Sequence, residues 1–246
     1  MSSDADPVDL VDLWVIPADQ PAPVVARLRP LLDRAELDRA DAASDPVRTA
    51  RFTVVHGVVR LLAAQRLGID AADLTWQYGP HGKPEPQGGR LRLSYSGSGP
   101  LAVLALADGR RVGADVEVLR DARVAARLAG RYFPDIDRQF VTSADTPEIA
   151  SDRFTRLWCR REACVKVHGG RLAQGLGLAL AGPSPLLLPD TGPLDGGPYQ
   201  VRDVFVPGAF RAAVAVEGAR PFQLVHRHWT ATADLLAPQH ASPELL

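Results

Sequence analysis

The chain has 246 residues, 46% of them apolar and 23% charged, which is enough for one large domain or two small ones with a substantial core. With 28 basic and 29 acidic residues the net charge is −1, so no overall field draws nucleic acid or a membrane surface, and any anionic ligand must be held by a local cluster. The opening residues lack a basic leader, and no apolar run approaches the ~18 residues of a membrane span; the expectation is a cytoplasmic protein.

Alternation over residues 10–16 predicts an opening strand, after which Asp33 and Glu36 form a capping box for a short helix. A stronger helix follows. Asp45 is its N-cap, Pro46 stands at the first helical position, and Phe52, Val55, Val59 and Leu62 recur at helical spacing until Gly68 ends it. Apolar segments at 74–78, 91–95, 101–107 and 112–118 predict strands, with Asp108-Gly109 read as a hairpin turn between the last two. Further helices are expected over 124–133 and from Thr146, with Pro147 in the first turn, to Gly169-Gly170. Strand-like runs close the chain at 199–206, 210–216 and 222–228. The Pro- and Gly-rich stretch 183–198 reads as a surface loop, and the chain beyond Trp229 as a loosely held tail.

Hairpin-type links in place of strict βαβ alternation favour an α+β fold with two similar halves, 1–110 and 111–230, followed by a tail at 231–246. Cys159 and Cys164, five apart on one helix, point in different directions and cannot bridge, so they are expected as reduced, packed thiols.

Only two lysines occur, Lys83 and Lys166, against 26 arginines. Drift toward arginine that spared two positions accounts for this; so does a need for an ammonium, whose pKa can be moved far enough to donate a proton. Around both lysines lie groups with chemistry of their own. In 111–118 a strand period of two puts Val112, Ala114, Val116 and Val118 on one face and Asp115 and Glu117 on the other. That pair is either a solvated strand face or part of a Mg²⁺ site, since paired carboxylates repel unless a cation neutralises them. On the 146–170 helix Phe154, Leu157, Cys164 and Val165 form the buried stripe, while Trp158, Glu162 and Lys166 run along its edge. Glu162 and Lys166 are spaced for an i,i+4 ion pair. Arg161 falls inside the apolar arc and must reach a carboxylate or carbonyl. His81-Gly82-Lys83-Pro84 reads as a turn; Ser94, Ser96 and Ser98 form no nucleophile elbow, and His226 and His228 are taken as structural.

Taken in order, Gly82-Lys83-Pro84, Leu93-Ser94-Tyr95-Ser96-Gly97, Gly113-Ala114-Asp115-Val116-Glu117 and Trp158-x-x-Arg161-Glu162-Ala163-x-x-Lys166 resemble the surfactin-synthetase type of 4′-phosphopantetheinyl transferase. Arg51-Phe52 extends the likeness more weakly. The resemblance implies two α+β halves related by a pseudo-twofold, with a ligand cleft between them. It implies Mg²⁺-dependent transfer of phosphopantetheine from coenzyme A to a serine of an acyl or peptidyl carrier protein, releasing adenosine 3′,5′-bisphosphate. Asp115, Glu117 and Glu162 would gather round the metal. Arg51, Lys83, Pro84, Ser94 and Tyr95 would line the nucleotide end of coenzyme A, with Asp115 and Lys166 also in contact. Glu162 would be the base and Lys166 the proton donor.

Three positions depart from the family pattern. Tyr95 stands where a histidine is usual and brings no positive charge; Arg161 replaces a usual lysine, and Arg171 a usual glycine. The alternatives are a coenzyme A-binding relative without transfer activity and a generic Mg²⁺-dependent phosphohydrolase. An arginine patch near Arg171 or Arg160 is the expected dock for an acidic carrier helix, and a monomer is expected from the paired halves.

Overall fold

The computed structural model describes residues 9–189, 192, 194 and 197–231. Of the expected tail at 231–246 all but residue 231 lies outside them, as does part of the 183–198 loop. In chain order the elements are β1 (Asp9–Pro17), α1 (Ala22–Leu28), α2 (Arg34–Asp41), α3 (Pro46–Leu67), β2 (Trp76–Tyr78), β3 (Pro84–Pro86), β4 (Leu91–Ser98), β5 (Leu101–Asp108) and β6 (Val112–Val118). Then follow α4 (Ala122–Tyr132), α5 (Asp135–Thr142), α6 (Pro147–His168), α7 (Leu172–Gly175), β7 (Leu186–Leu188), β8 (Tyr199–Val204), β9 (Phe210–Glu217) and β10 (Phe222–His228). The fold is α+β.

Local chemistry sets the long helices. Asp45 accepts from the Val47 N–H at the start of α3, and Gly68, at φ 69°, closes it in the left-handed conformation that glycine adopts without a Cβ penalty. Thr146 caps α6 through the Ile149 N–H, and Gly169, at φ 70°, ends it. The Asp33/Glu36 capping box of α2 is present on both sides. Five elements of regular structure were not legible: α1, the short β3 in the expected turn, α5, the single-turn α7 and the short β7 inside the expected loop.

The strands form two four-stranded sheets, β10-β1-β5-β4 and β6-β9-β8-β7, and a small β2-β3 pair. Asp108-Gly109 is therefore not a hairpin turn. It carries the chain from one sheet to the other, β5 pairing with β1 and β4 while β6 pairs with β9. The turn geometry is local and present, with Gly109 at φ 84°, but strand partners are chosen by burial. The last strand β10 returns to run parallel with β1, Asp9 opposite Phe222 through Val15 opposite His228.

Alternation along the strands then builds four layers. Ala102, Leu104 and Leu106 of β5 face α3 in one core. Val103 and Ala105 face Val112, Ala114 and Val116 of β6 in a second, between the sheets. Ala213 and Ala215 of β9 face α6 in a third. Two buried polar clusters fix the outer layers. Arg60 donates to Glu36 (2.6 Å), Asp33 (2.6 Å) and the Leu74 carbonyl (2.8 Å), locking α2 to α3. Burial alone would raise the Glu36 carboxyl, but hydrogen bonds from His56, Arg60 and the Asp33 N–H override it and hold it at about 2. In the other outer layer Arg161 donates to Asp137 (2.6 Å) and to the carbonyls of Gly175, Leu178 and Leu157, both side chains fully buried. The expected reach of Arg161 to a carboxylate and carbonyls is borne out, and both cysteines are free and buried.

Candidate active site

Position 113 decides the geometry. A Cβ built on Gly113 would stand 1.9 Å from the Ala163 carbonyl oxygen and 2.6 Å from the Val167 nitrogen, so α6 crosses β6 in direct backbone contact. Asp115 and Glu117, which share the strand face of Gly113, are thereby brought against the side of α6 that carries Glu162 and Lys166. The solvated-face reading of these acids fails: Asp115 is 2% exposed, because the helix covers it.

Lys166 does not pair with Glu162 on the surface. Its Nζ donates to Asp115 Oδ1 at 2.6 Å and to Ser96 Oγ at 2.9 Å, and the Ser96 hydroxyl donates to the same Oδ1 at 2.7 Å. The helical spacing permitted the Glu162 pair, but the fully buried Asp115 carboxylate is a stronger attractor for an ammonium than the partly buried Glu162. Burial raises the Glu117 carboxyl above its ordinary value, and the Asp115 charge adds to it. Glu162 is raised for the same two reasons in the same order, so the three acids sense one another.

The strand that meets these acids is β4, the edge of the first sheet. Its hydroxyls replace a backbone ladder: Ser94 accepts from the Ala114 N–H (3.0 Å), while Ser98 accepts from the Val118 N–H (3.1 Å) and donates to Glu117 (3.0 Å). Ser96 and Ser98 were missed as site residues. Their signal was available, since a Ser-x-Ser-x-Ser alternation matches the period of Asp115-x-Glu117 on the partner strand.

A pocket of about 280 Å³ opens beside this cluster, lined by His81, Lys83, Pro84, Ser94, Tyr95 and Lys166 among others. Lys83 is not an exposed turn lysine. Its Nζ donates to the Val112 carbonyl at 2.9 Å, and burial pushes the ammonium down to about 8, with Arg111 and Arg92 adding to the effect. Tyr95 is held above its ordinary value by burial and then by Glu36, so its phenol is neutral. Arg51 lies apart from this group. It lines a second pocket of about 700 Å³ with Arg48, Phe52 and His56, joined to the first through Tyr95, and is paired to Asp19 at 2.6 and 3.0 Å. Arg160, expected on a docking patch, is buried and spent on Asp203 (2.7 Å) and the Leu180 carbonyl (2.6 Å); Arg171 is exposed. Trp158 packs on Phe133 and Phe154 and takes no part in the site. His226 and His228 lie on the exposed end of β10.

The donor set suits a hard dication. Asp115 Oδ2 is buried without a hydrogen-bond partner, and two more carboxyls stand near it: Glu117, which is paired to Arg120 at 3.2 Å, and Glu162, both raised by burial and by the Asp115 charge. Among the described residues no three His, Cys, Asp or Glu side chains close into a metal-holding cluster; the cation on Asp115 is Lys166. Nor is any helix among them long and apolar enough to cross a membrane.

The strand with the paired acids is crossed at Gly113 by the helix that bears Glu162 and Lys166, beside a pocket that also holds Lys83. A family model described as the 4′-phosphopantetheinyl transferase superfamily matches residues 111–192, the segment from β6 through β7. The 4′-phosphopantetheinyl transferase HetI of Nostoc is 31% identical over 173 residues, covering 68% of this chain and 71% of the relative. A putative 4′-phosphopantetheinyl transferase of Synechocystis is 27% identical over 167 residues, 67% of each chain. The 4′-phosphopantetheinyl transferase AcpT of Salmonella typhimurium is 37% identical over 94 residues, 38% of this chain and 48% of the relative. The chain belongs to the 4′-phosphopantetheinyl transferase superfamily and is a transferase.

Proposed function

We propose that this protein is a surfactin-synthetase-type enzyme that moves 4′-phosphopantetheine from coenzyme A to a serine of an acyl or peptidyl carrier protein, as a cytoplasmic monomer. The observation that carries the reading is the α6–β6 crossing at Gly113, which sets Glu162 and Lys166 beside Asp115 and Glu117, with Lys166 also lining the pocket that holds Lys83. Residues 1–110 then form the half on the nucleotide side and 111–230 the half with the metal acids and catalytic helix. Arg51, Lys83, Pro84, Ser94 and Tyr95 receive the nucleotide end.

Asp115, Glu117 and Glu162 are the residues to hold Mg²⁺, which supplies neutralisation of pyrophosphate charge when bound. The chain's own groups do the rest. The carrier serine oxygen attacks the pantetheine-side phosphorus, forming a new O–P bond as the bridging P–O bond breaks. Glu162, whose carboxyl is raised by burial and by Asp115, takes the serine proton. Lys166 gives its proton to the departing phosphate of adenosine 3′,5′-bisphosphate. Base assistance is worth ~10² to 10⁴ in rate, so positioning and electrostatics provide the larger share.

The test incubates the protein with coenzyme A, Mg²⁺ and an apo carrier protein and seeks the phosphopantetheine adduct by mass spectrometry. A carrier-dependent adduct is the expected result. Coenzyme A binding without adduct points to a non-transferring relative, and carrier-independent hydrolysis to a phosphohydrolase.

A further inference from the structure

We propose that Lys166 is the resident counter-ion of Asp115, released toward the pocket when a divalent ion takes its place, and that Ser96 is the positioning residue on which it pivots. The proposal rests on the transferase reading above. Lys166 Nζ, Ser96 Oγ and Asp115 Oδ1 form a closed triangle with sides of 2.6, 2.7 and 2.9 Å. The other carboxylate oxygen, Oδ2, is buried and has no partner. Asp115 therefore has a monovalent cation on one side and an unmet acceptor on the other.

An ammonium on Oδ1 and a dication on Oδ2 of one carboxylate stand only a few ångströms apart and repel each other with twice the unit-charge energy, while the dication is attracted to the three carboxylates more strongly than the ammonium. The two are alternatives at Asp115, not companions. Lys166 has a place to go, because it keeps 28% of its side chain exposed and already lines the pocket that holds Lys83. Ser96 keeps it near. A hydroxyl has two acceptor lone pairs and a freely turning proton, so Ser96 receives the ammonium both on and off Asp115. Without a divalent ion the lysine is occupied by Asp115; with one, it is available to a phosphate. Loading of the acids and arming of Lys166 become one event, and by reciprocity a phosphate ligand that draws Lys166 away tightens ion binding.

The presence of only two lysines makes the test direct. Wild-type protein without substrate is treated with an amine-acylating reagent with and without Mg²⁺, and labelling at Lys83 and Lys166 is followed by peptide mass spectrometry. Labelling of Lys166 is expected to accelerate ~5-fold, the factor for a lost ion pair of ~1 kcal/mol, over the Mg²⁺ range in which calorimetry detects binding, with Lys83 unchanged. Unaltered Lys166 labelling in Mg²⁺-saturated protein, or no Mg²⁺ binding at all, overturns the exchange even when the carrier assay is positive. Metal-dependent labelling without any transfer instead overturns the transferase reading alone. Lys166→Met, lacking the competing cation, should bind Mg²⁺ ~10-fold more tightly, and weaker binding contradicts the exchange. Ser96→Ala should lower kcat ~10-fold with KM for coenzyme A and Mg²⁺ affinity within about twofold, and Ser96→Thr should restore most of it. An alanine variant with wild-type kcat removes the pivot.

Discussion

Gly113 and Ala163 touch backbone to backbone: the space a Cβ would fill at 113 is taken by the Ala163 carbonyl at 1.9 Å. No rotamer change relieves a clash with a carbonyl, so the helix itself has to lift. Gly113→Ala is expected to lose ~3 kcal/mol of stability and nearly all transfer activity, because a displaced α6 carries Glu162 and Lys166 away from Asp115. Denaturant unfolding and the carrier assay measure the two losses, and an alanine variant with a wild-type midpoint would refute the contact.

The raised carboxyls of Glu117 and Glu162 predict a stability cost at neutral pH in metal-free protein. A carboxyl whose folded pKa exceeds its unfolded value near 4.5 favours folding below that value and loses the contribution as pH rises through the folded pKa. Glu162→Gln should therefore be more stable than wild type at pH 7, with the difference closing below pH 4.5. Thermal unfolding across pH with a chelator present measures it; adding Mg²⁺ should raise the wild-type Tm and leave the variant's nearly unmoved.

Lys83, held down to about 8 by burial, is close to half neutral in the free protein at pH 8. A phosphate bound beside it favours the ammonium, so coenzyme A binding should take up about half a proton at pH 8 and weaken as pH rises further. Calorimetry in two buffers of different ionisation enthalpy counts that proton. No buffer dependence at pH 8 would place the phosphates away from Lys83.

Asp137 and Arg161 illustrate a charge pair whose loss is felt throughout its layer. The carboxylate also accepts from the N–H groups of Leu180 and Ala181 at 2.8 to 3.0 Å. Asp137→Ala should cost ~3–5 kcal/mol, since it leaves a fully buried guanidinium without its counter-charge. A loss under ~1 kcal/mol in urea unfolding would show that the carbonyl partners suffice.

The sequence yielded what short-range chemistry encodes. α3 and α6 were legible because Asp45, Pro46 and Gly68, and Thr146, Pro147 and Gly169, are start and stop signals read over a few residues. The Arg161 reach was legible because a charge on an apolar arc must be answered. Partner choice was not: nothing local tells Asp108-Gly109 that its flanking strands enter different sheets, or tells Lys166 that Asp115, 51 residues away, outcompetes Glu162. α1 and α5 have Pro21 and Pro134 at the N-cap position, without the side-chain caps that mark α2, α3, α4 and α6. Arg160 sits on the same helix as Arg161 and was mistaken for surface because its acceptors, Asp203 and Leu180, come from later in the chain.

Asp9 and Arg220 are bonded across 211 positions, at the point where β10 pairs with β1. On a ribosome β1 is made long before its parallel neighbour, so one flank of β1 stays open while the elements between them are synthesised. The nascent chain can assemble its helices and hairpins as they emerge, but this sheet acquires its outer strand only once residue 228 has cleared the exit tunnel.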